Sequence, residues 1–541
     1  MLVHNLLENS AARFPEKTAL VCNRQRLTYR QLNARADQLA AALIETGLKR
    51  QDRVVILLEN SVESVIALYA VLKAGGIFVM LNPGMKAAKL NFILRDSGAR
   101  TVITDAVKAP LIKEAASDVD NLQHIIWCGR NVVIETPRGT IAGTSWDSVF
   151  NAAVTLPAGR RHLIDVDLAT IIYTSGSTGE PKGVVSAHYN MVAAATSITT
   201  YLQNRQDDII LNTLPLSFDY GLYQALMAAL FGGTLVLEQS FVYSYKVMEL
   251  LVQEKVTGFP IVPTMVALLL QMENLAKLDF SSLRYITNTA AALPVSYIQR
   301  LRALFPAATL YSMYGLTECK RVAYLPPEEL ERRPSSVGIP IPNEEVFIVD
   351  ANGKEVGPDE IGELVVRGSN VMQGYWNRPE ETARTFRPGR YRGETLLYTG
   401  DLFKKDQEGF LFFVARKDDL IKTKGERVSP KEIENAVCSM AGVVEAAVTG
   451  VPDEVLGQAI KVYIVCDRRT DLTAEQVMRF CSIKLESFMV PKYVEFRDCL
   501  PKSPSGKIDK KALKAAETAG YRHEAVPGAD MTAVETAVVA S

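Results

Sequence analysis

The sequence lacks the cysteine and histidine patterns that build disulfide frameworks or zinc sites. Its seven cysteines are scattered without any C-x-x-C spacing, and its five histidines lie far apart. An odd cysteine count predicts reduced thiols. Residues 1–10 have the pattern of an amphipathic helix and not that of an export signal, so we expect a cytoplasmic location. Structural zinc is not expected.

The chain also lacks a charge excess and a long apolar stretch. Its 60 basic and 61 acidic residues give a formal net charge of −1, which leaves no basic footprint for a nucleic-acid partner. The longest largely apolar run, residues 221–237, contains Gln224 and three glycines and is short for a membrane span. We therefore expect a globular protein without a nucleic-acid partner or a membrane span.

Length and element pattern predict the domain organisation. At 541 residues the chain is too long for one hydrophobic core. Alternating helical and strand patterns predict an α/β fold with layered, largely parallel sheets. We expect a large N-terminal domain over 1–415, with a β-rich subdomain from about 340. A small α+β C-terminal domain is predicted over 416–515, and a loose tail over 516–541.

One segment, residues 173–184, is rich in groups that bind phosphate. Glycines allow close backbone approach and positive φ, hydroxyl and N–H groups donate to phosphate oxygens, and a lysine supplies a cation. The Walker spacing Gly-x-x-x-x-Gly-Lys-Ser/Thr is absent. A Ser/Gly-rich stretch also fits a flexible surface loop, so the phosphate hypothesis depends on other motifs. The candidate ligands are Thr174, Ser175, Gly176, Ser177, Thr178, Gly179 and Lys182.

Three further motifs lie downstream, and each is weak alone. Glu318 ends the sequence Tyr-Gly-Leu-Thr-Glu, where a solvated side chain is the ordinary interpretation. Asp401 ends Tyr-Thr-Gly-Asp and fits a turn, and Lys507 lies in a Pro/Gly loop that fits a surface turn.

Taken together and in this order, the motifs resemble the acyl-adenylate-forming (AMP-binding) superfamily. This superfamily includes acyl-CoA synthetases, luciferases and the adenylation domains of peptide synthetases. The resemblance covers roughly residues 10–515. It rests on segments 27–32, 72–75, 173–184, 314–318, 362–364, 374–376, 398–401, 416–419 and 506–507.

The resemblance implies that a carboxylate is joined to the α-phosphate of ATP and that pyrophosphate is expelled. The 173–184 loop would hold the β- and γ-phosphates, and Glu318 would bind Mg²⁺, which prefers carboxylate and phosphate oxygens. Thr317 would contact the α-phosphate, and Lys507 would bridge the carboxylate and the α-phosphate. Adenine and ribose would be held by Tyr314, Ala290, Ala291, Asp401 and Arg416.

A second half-reaction is also implied, in which a mobile C-terminal domain serves thiol transfer. Asp418 matches the hinge position, and Gly425 matches the segment that lines the thiol tunnel. Because only about 34 residues follow Lys507, we expect no appended carrier domain. The predicted acceptor is the phosphopantetheine arm of a separate carrier protein, with antibiotic or other secondary metabolism as the setting by analogy. Free CoA and an amine are the alternatives.

The acid pocket is less well determined. Asp219 directly follows Phe218, as in amino-acid-activating members, where this carboxylate pairs with the substrate ammonium. Arg321 stands where the family has a small or apolar residue. It could pair with Asp219, face a second substrate carboxylate, or point to solvent. A small amino acid is predicted first, with a small carboxylic or dicarboxylic acid as the alternative. The remaining candidate pocket residues are Tyr220, Tyr223, Thr287, Thr289 and Met313.

Two other classes compete with a ligase. A binding protein would leave unexplained why the loop, Glu318, Asp401 and Lys507 occur together. A kinase would need a Walker loop or a matching set of Mg²⁺ ligands, which the sequence lacks. The products separate them: AMP and pyrophosphate indicate adenylation, and ADP indicates a kinase.

Overall fold

The computed structural model describes residues 1–151, 162–175, 180–289, 293–423, 426–453, 456–467, 470–503 and 506–518. Within them the chain divides into two compact units. The first comprises Met1–Lys417 with Pro504–Lys507, and the second comprises Asp418–Ser503 with Ile508–Ser541. No helix among the described residues is long and apolar enough to cross a bilayer.

The first unit begins with alternating helices and strands. In chain order they are α1 (Val3–Arg13), β1 (Thr18–Cys22), β2 (Gln25–Thr28), α2 (Tyr29–Glu45), β3 (Arg53–Leu57), α3 (Val62–Lys73), β4 (Ile77–Met80), α4 (Ala87–Ser97), β5 (Thr101–Asp105), α5 (Ala109–Ala115), β6 (His124–Cys128), β7 (Ile134–Thr136), β8 (Gly139–Ser145) and α6 (Trp146–Asn151).

The same alternation continues through the middle of the unit. The elements are β9 (Leu168–Ser175), β10 (Pro181–Ala187), α7 (His188–Tyr201), β11 (Ile209–Asn212), α8 (Asp219–Phe231), β12 (Thr234–Leu237), α9 (Ser244–Gln253), β13 (Gly258–Ile261), α10 (Pro263–Leu269), β14 (Tyr285–Asn288), α11 (Val295–Leu304) and β15 (Thr309–Tyr314).

Short strands then dominate up to the end of the unit. The elements in this part are β16 (Ala323–Tyr324), β17 (Ile339–Pro340), β18 (Glu344–Val349), β19 (Gly362–Gly368), β20 (Gly374–Tyr375), the helix α12 (Pro379–Thr385), β21 (Phe386–Pro388), the longer β22 (Thr395–Lys405) and β23 (Leu411–Arg416). Strands β18, β19, β21, β22 and β23 form a five-stranded antiparallel sheet.

Two nine-stranded sheets form the body of the described part of the first unit. Their strand orders are β17-β16-β15-β14-β13-β11-β12-β1-β2 and β20-β10-β9-β4-β3-β5-β6-β8-β7. The inner strands pair in parallel, and strands such as β4 are buried along their whole length. Parallel sheets need both faces covered, which explains the continuous apolar runs. The predicted α/β fold class is confirmed.

Local sequence explains where the helices start. Thr28 and Gln31 form a capping box at α2, in which each side chain accepts the other residue's backbone N–H at 3.2 and 2.9 Å. Ser61 and Ser64 do the same at α3, with both bonds at 3.1 Å. These bonds satisfy N–H groups that have no partner inside the helix.

The second unit has its own core. Its elements are β24 (Ile421–Thr423), β25 (Glu426–Val428), α13 (Pro430–Cys438), β26 (Val443–Asp453), β27 (Gly457–Cys466), α14 (Ala474–Lys484), β28 (Tyr493–Phe496) and α15 (Lys510–Thr518). A five-stranded sheet of β25-β24-β27-β26, with β28 on β27, packs its apolar face against α13 and α14 in this described part.

Candidate active site

Parallel strands of the first sheet bring the candidate residues to one edge. Strands β11, β13, β14 and β15 run in parallel, so their carboxyl ends meet at the same edge. Asp219 begins α8 after β11, Thr289 follows β14, and Tyr314 ends β15. In open α/β sheets this edge is where ligands bind.

Tyr314, Asp401 and Arg416 form one connected group. Tyr314 Oη donates to Asp401 Oδ2 at 2.6 Å, and Arg416 Nε lies 3.2 Å from Asp401 Oδ1. Asp401 and Arg416 face each other in the β22–β23 ladder. Asp401 is buried, whereas the Arg416 side chain is 59% exposed. Burial and the neighbouring Asp401 charge raise the pKa of Tyr314, which therefore stays a neutral donor.

Glu318 lies four residues beyond Tyr314 and is half-buried. Tyr375 Oη donates to Glu318 Oε1 at 2.8 Å. The Tyr375 ring also has Lys182 Nζ 5.6 Å from its centroid. One tyrosine thus contacts both the candidate metal ligand and the candidate phosphate-binding lysine. Thr317 is half-buried beside Glu318.

The predicted phosphate loop closes an antiparallel hairpin. Strand β9 runs into it and β10 leaves it, with Ser175 opposite Pro181 and Thr174 opposite Lys182. Gly183 is required by close packing, because a Cβ there would lie 2.6 Å from Ile171 Cγ2. The predicted ligands Gly176, Ser177, Thr178 and Gly179 lie outside the described residues, as do Ala290 and Ala291.

Lys507 belongs to the first unit although it is far along the chain. Its loop passes the start of α10: a Cβ on Gly506 would lie 3.1 Å from Thr264 Oγ1. Lys507 is exposed to solvent overall, but the protein atoms around its ammonium, followed by the like charge of Arg416, lower its pKa. The carboxylates Asp219, Asp401 and Glu318 oppose that shift, so all lie within electrostatic range of the ammonium.

The candidate acid pocket lies at the start of α8. Asp219 is buried at the first residue of that helix, where the helix dipole favours a negative charge. Tyr220 Oη donates to the Thr287 carbonyl oxygen at 2.7 Å and lies 2.6 Å from Thr287 Oγ1. Phe218 is half-buried with its ring 6.3 Å from Tyr220. Met313 and Thr289 are buried as well.

Arg321 does not point to solvent, so that alternative is wrong. It is 4% exposed, and its guanidinium lies 5.3 Å from the centroid of Tyr220. Burial raises the pKa of Glu344 well above its usual range, and hydrogen bonding by Asn370 and the charge of Arg321 oppose this. The ring of Tyr220, the carboxyl of Glu344 and the hydroxyl of Tyr201 are thus among the neighbours of Arg321.

Sequence reasoning missed Lys320. This lysine is 7% exposed, and its Nζ lies 5.5 Å from the centroid of Tyr223. Burial lowers the pKa of Lys320, and the negative charges of Asp219 and Glu318 oppose part of this lowering. Lys320 is therefore a buried cation within electrostatic range of Asp219. The sequence signal for Lys320 is that it forms a pair of consecutive cations with Arg321, shortly after Glu318.

Of the predicted hinge and tunnel residues, the hinge residue lies among the described residues and the tunnel residue does not. Asp418 is the first residue of the second unit and lies in the short turn of 3₁₀ helix Lys417–Asp419. Gly425 lies outside the described residues.

Comparisons with known proteins agree on one family. Residues 7–376 match the AMP-binding enzyme family, and residues 432–507 match the AMP-binding enzyme C-terminal domain. A long-chain-fatty-acid–CoA ligase of Escherichia coli O157:H7 is 32% identical over 94% of this chain and 93% of its own length. ATP-bound MatB from Rhodopseudomonas palustris superposes with a TM-score of 0.84 at 29% identity, over 95% and 99% of the two chains. An anthranilate CoA ligase, AuaEII, bound to anthranoyl-AMP gives 0.86 at 27% identity, over 95% and 97%.

Proposed function

Because the chain belongs to the AMP-binding enzyme family of ATP-dependent acid–thiol ligases, we propose that it adenylates a small carboxylic acid and transfers the acyl group to a phosphopantetheine thiol. The observation that supports this best is the position of Lys507. Its ammonium is within electrostatic range of Asp219, Glu318 and Asp401, which come from three separate segments of the first unit.

In the first half-reaction a carboxylate oxygen attacks the α-phosphorus of ATP, a P–O bond forms, and pyrophosphate leaves. Two anions must approach each other, so fixed positive charge and hydrogen-bond donors lower the barrier. Lys507 is proposed to bridge the carboxylate and the α-phosphate, and Thr317 to donate to the α-phosphate. Tyr314, Asp401 and Arg416 are proposed to hold the nucleoside, since buried Asp401 offers acceptors for ribose hydroxyls.

The residues present fit a magnesium ion that arrives with ATP. No group of three or more His, Cys, Asp or Glu side chains that could cage a metal occurs in the described part of the chain. Mg²⁺ usually takes one or two carboxylates with phosphate oxygens, and Glu318, held by Tyr375, is one such carboxylate. Bound there, the ion would neutralise phosphate charge.

In the second half-reaction a thiolate attacks the acyl carbon, a C–S bond forms, and AMP leaves. CoA is proposed as the thiol because the relatives are named as CoA ligases. The separate carrier protein predicted from the sequence carries the same phosphopantetheine group, so one assay compares both. Asp418 is proposed as the hinge and Gly425 as part of the thiol path.

A small acid is proposed because bulky side chains occupy the candidate pocket. Tyr220, Tyr223, Met313 and Arg321 are each less than a twentieth exposed. An amino acid is a second candidate, favoured by buried Asp219 at the start of α8. The charge of Lys320 beside Asp219 disfavours an ammonium there.

Acid-dependent exchange of labelled pyrophosphate into ATP tests the proposal. A panel of amino, aryl, fatty and dicarboxylic acids should give exchange with small acids only, and AMP should accumulate when CoA is added. Formation of ADP, or no exchange with any acid, would overturn the proposal. Exchange followed by transfer only to a carrier protein or an amine would change the acceptor alone.

A further inference from the structure

The backbone of Lys320 is held by several hydrogen bonds, although its ammonium has no hydrogen-bond partner among the described residues. Its backbone has φ 69°, and its N–H donates to Leu316 O at 2.7 Å. Asn370 Nδ2 donates to the carbonyl oxygens of Cys319 and Arg321, at 2.7 and 2.9 Å, on either side of it. Lys320 Nζ is buried and hydrogen-bonds to no residue in the described part of the chain. The fold therefore holds a buried ammonium group that lacks a hydrogen-bond acceptor among the described residues.

A second unsatisfied group lies beside it. Tyr223 is 2% exposed, and its Oη also has no hydrogen-bond partner among the described residues. The ring of the same tyrosine lies under the Lys320 ammonium. Asp219, also buried, lies one helical turn before Tyr223 on α8. Lys320 and Tyr223 are thus in contact, and Asp219 lies on the same helix face as Tyr223.

Leaving these groups without partners is unfavourable. A buried donor without an acceptor is destabilising, and more so when it is charged. The aromatic face of Tyr223 offsets part of this for Lys320. A substrate that supplies an acceptor would recover the remainder, so the arrangement is explained by a ligand better than by packing.

The signs of the two charges restrict the ligand. An ammonium beside Asp219 would be repelled by Lys320, and a carboxylate beside Lys320 would be repelled by Asp219. An uncharged group that both donates and accepts satisfies both, because it can donate to Asp219 and accept from Lys320. Hydroxyl groups and primary amides have this property.

We propose that Lys320, Tyr223 and Asp219 select acids that carry a hydroxyl or primary amide group remote from the reacting carboxylate. The inference rests on the proposed function and narrows it to hydroxy or amide acids. Lys320 and Tyr223 are specificity residues in this scheme.

The test compares acids that differ in one group. Pyrophosphate exchange is measured for butanoate, its monohydroxy and monoamino derivatives, succinate and succinamate, and for the corresponding benzoates. The best hydroxy or amide acid should exceed its unsubstituted parent by about 100-fold or more in kcat/KM, because a site built for a polar group rejects an analogue that lacks it. A preference for an amino or dicarboxylic acid, or for the parent, would overturn the inference.

Two variants separate a loss of substrate specificity from a general loss of activity. Lys320→Met should lower kcat/KM for the preferred acid by about 10- to 100-fold, and Tyr223→Phe by about 10-fold. The ratio of kcat/KM for the preferred acid to that for its unsubstituted parent should fall by the same factors, whereas the control Lys89→Met, at an exposed lysine on α4, should leave that ratio unchanged. If both variants lost kcat/KM equally for all acids, the inference would be overturned. The proposed function would still stand, because pyrophosphate exchange itself would still occur. No exchange with any acid by the wild-type protein would defeat the proposed function, and the inference with it.

Discussion

Replacing Lys507 by glutamine gives a decisive test of the proposed chemistry, because the change removes the positive charge and keeps a polar side chain that is one atom shorter. An ammonium about 4 Å from a unit negative charge contributes about 1 kcal/mol in water and about 4 kcal/mol near a protein surface. Lys507 is exposed overall, yet enough protein surrounds its ammonium to lower its pKa. We therefore place the loss in the upper part of this range, at about 100- to 1,000-fold in the adenylation rate.

The assay measures the two half-reactions separately. Pyrophosphate exchange reports adenylation, and transfer from a synthetic acyl-adenylate to CoA reports thioester formation. Lys507→Gln should lose the first and keep the second within a few-fold, and Lys511→Gln, an exposed lysine on α15, should keep both. Adenylation should fall as the pH rises through the Lys507 pKa, at a lower pH than for an ordinary lysine, since loss of the proton removes the bridge. Equal loss in both half-reactions, or undiminished exchange, would refute the assignment.

The remaining predictions concern the nucleoside, the backbone and the hinge. Asp401→Ala should raise the KM for ATP by about 10- to 100-fold in exchange assays, because a buried charged acceptor is lost; an unchanged KM would contradict its role. Gly338→Ala should lower stability by about 3 kcal/mol or more in denaturant titrations, because φ is +90° and a Cβ would lie 1.8 Å from Tyr324 O. Its control, Gly409→Ala, has φ +86° with open space and should cost only about 1–2 kcal/mol. Asp418→Pro should spare pyrophosphate exchange and slow thioester formation, and equal losses would argue against a hinge.

Short motifs carried most of the candidate site. Glu318, Asp401 and Lys507 could be named from the sequence because their motifs, each weak alone, occur together in the order that resembles the superfamily. The α/β fold class followed from buried strand runs such as β3 and β4, whose apolar character does not depend on distant residues.

Tertiary packing decided what the sequence could not. Lys320 is buried only because α8 brings Tyr223 beneath its ammonium, and no local pattern encodes that contact. The position of Arg321 likewise depends on Tyr220 and Glu344, which come from separate elements. The antiparallel return of β10 after the phosphate loop was not predicted, because a glycine-rich turn leaves the direction of the next strand open.

The pairing of β20 with β10 has a practical consequence. Trp376 follows Tyr375 directly, its N–H donates to Gly183 O at 2.7 Å, and its indole Nε1 donates to Asp96 O at 2.9 Å. The other two tryptophans, Trp127 and Trp146, are buried elsewhere in the first unit. Trp376 is therefore a natural fluorescent reporter that is hydrogen-bonded to β10, the strand that follows the phosphate loop. We expect nucleotide binding to change the fluorescence of the unlabelled protein, with Trp376→Phe as the blank.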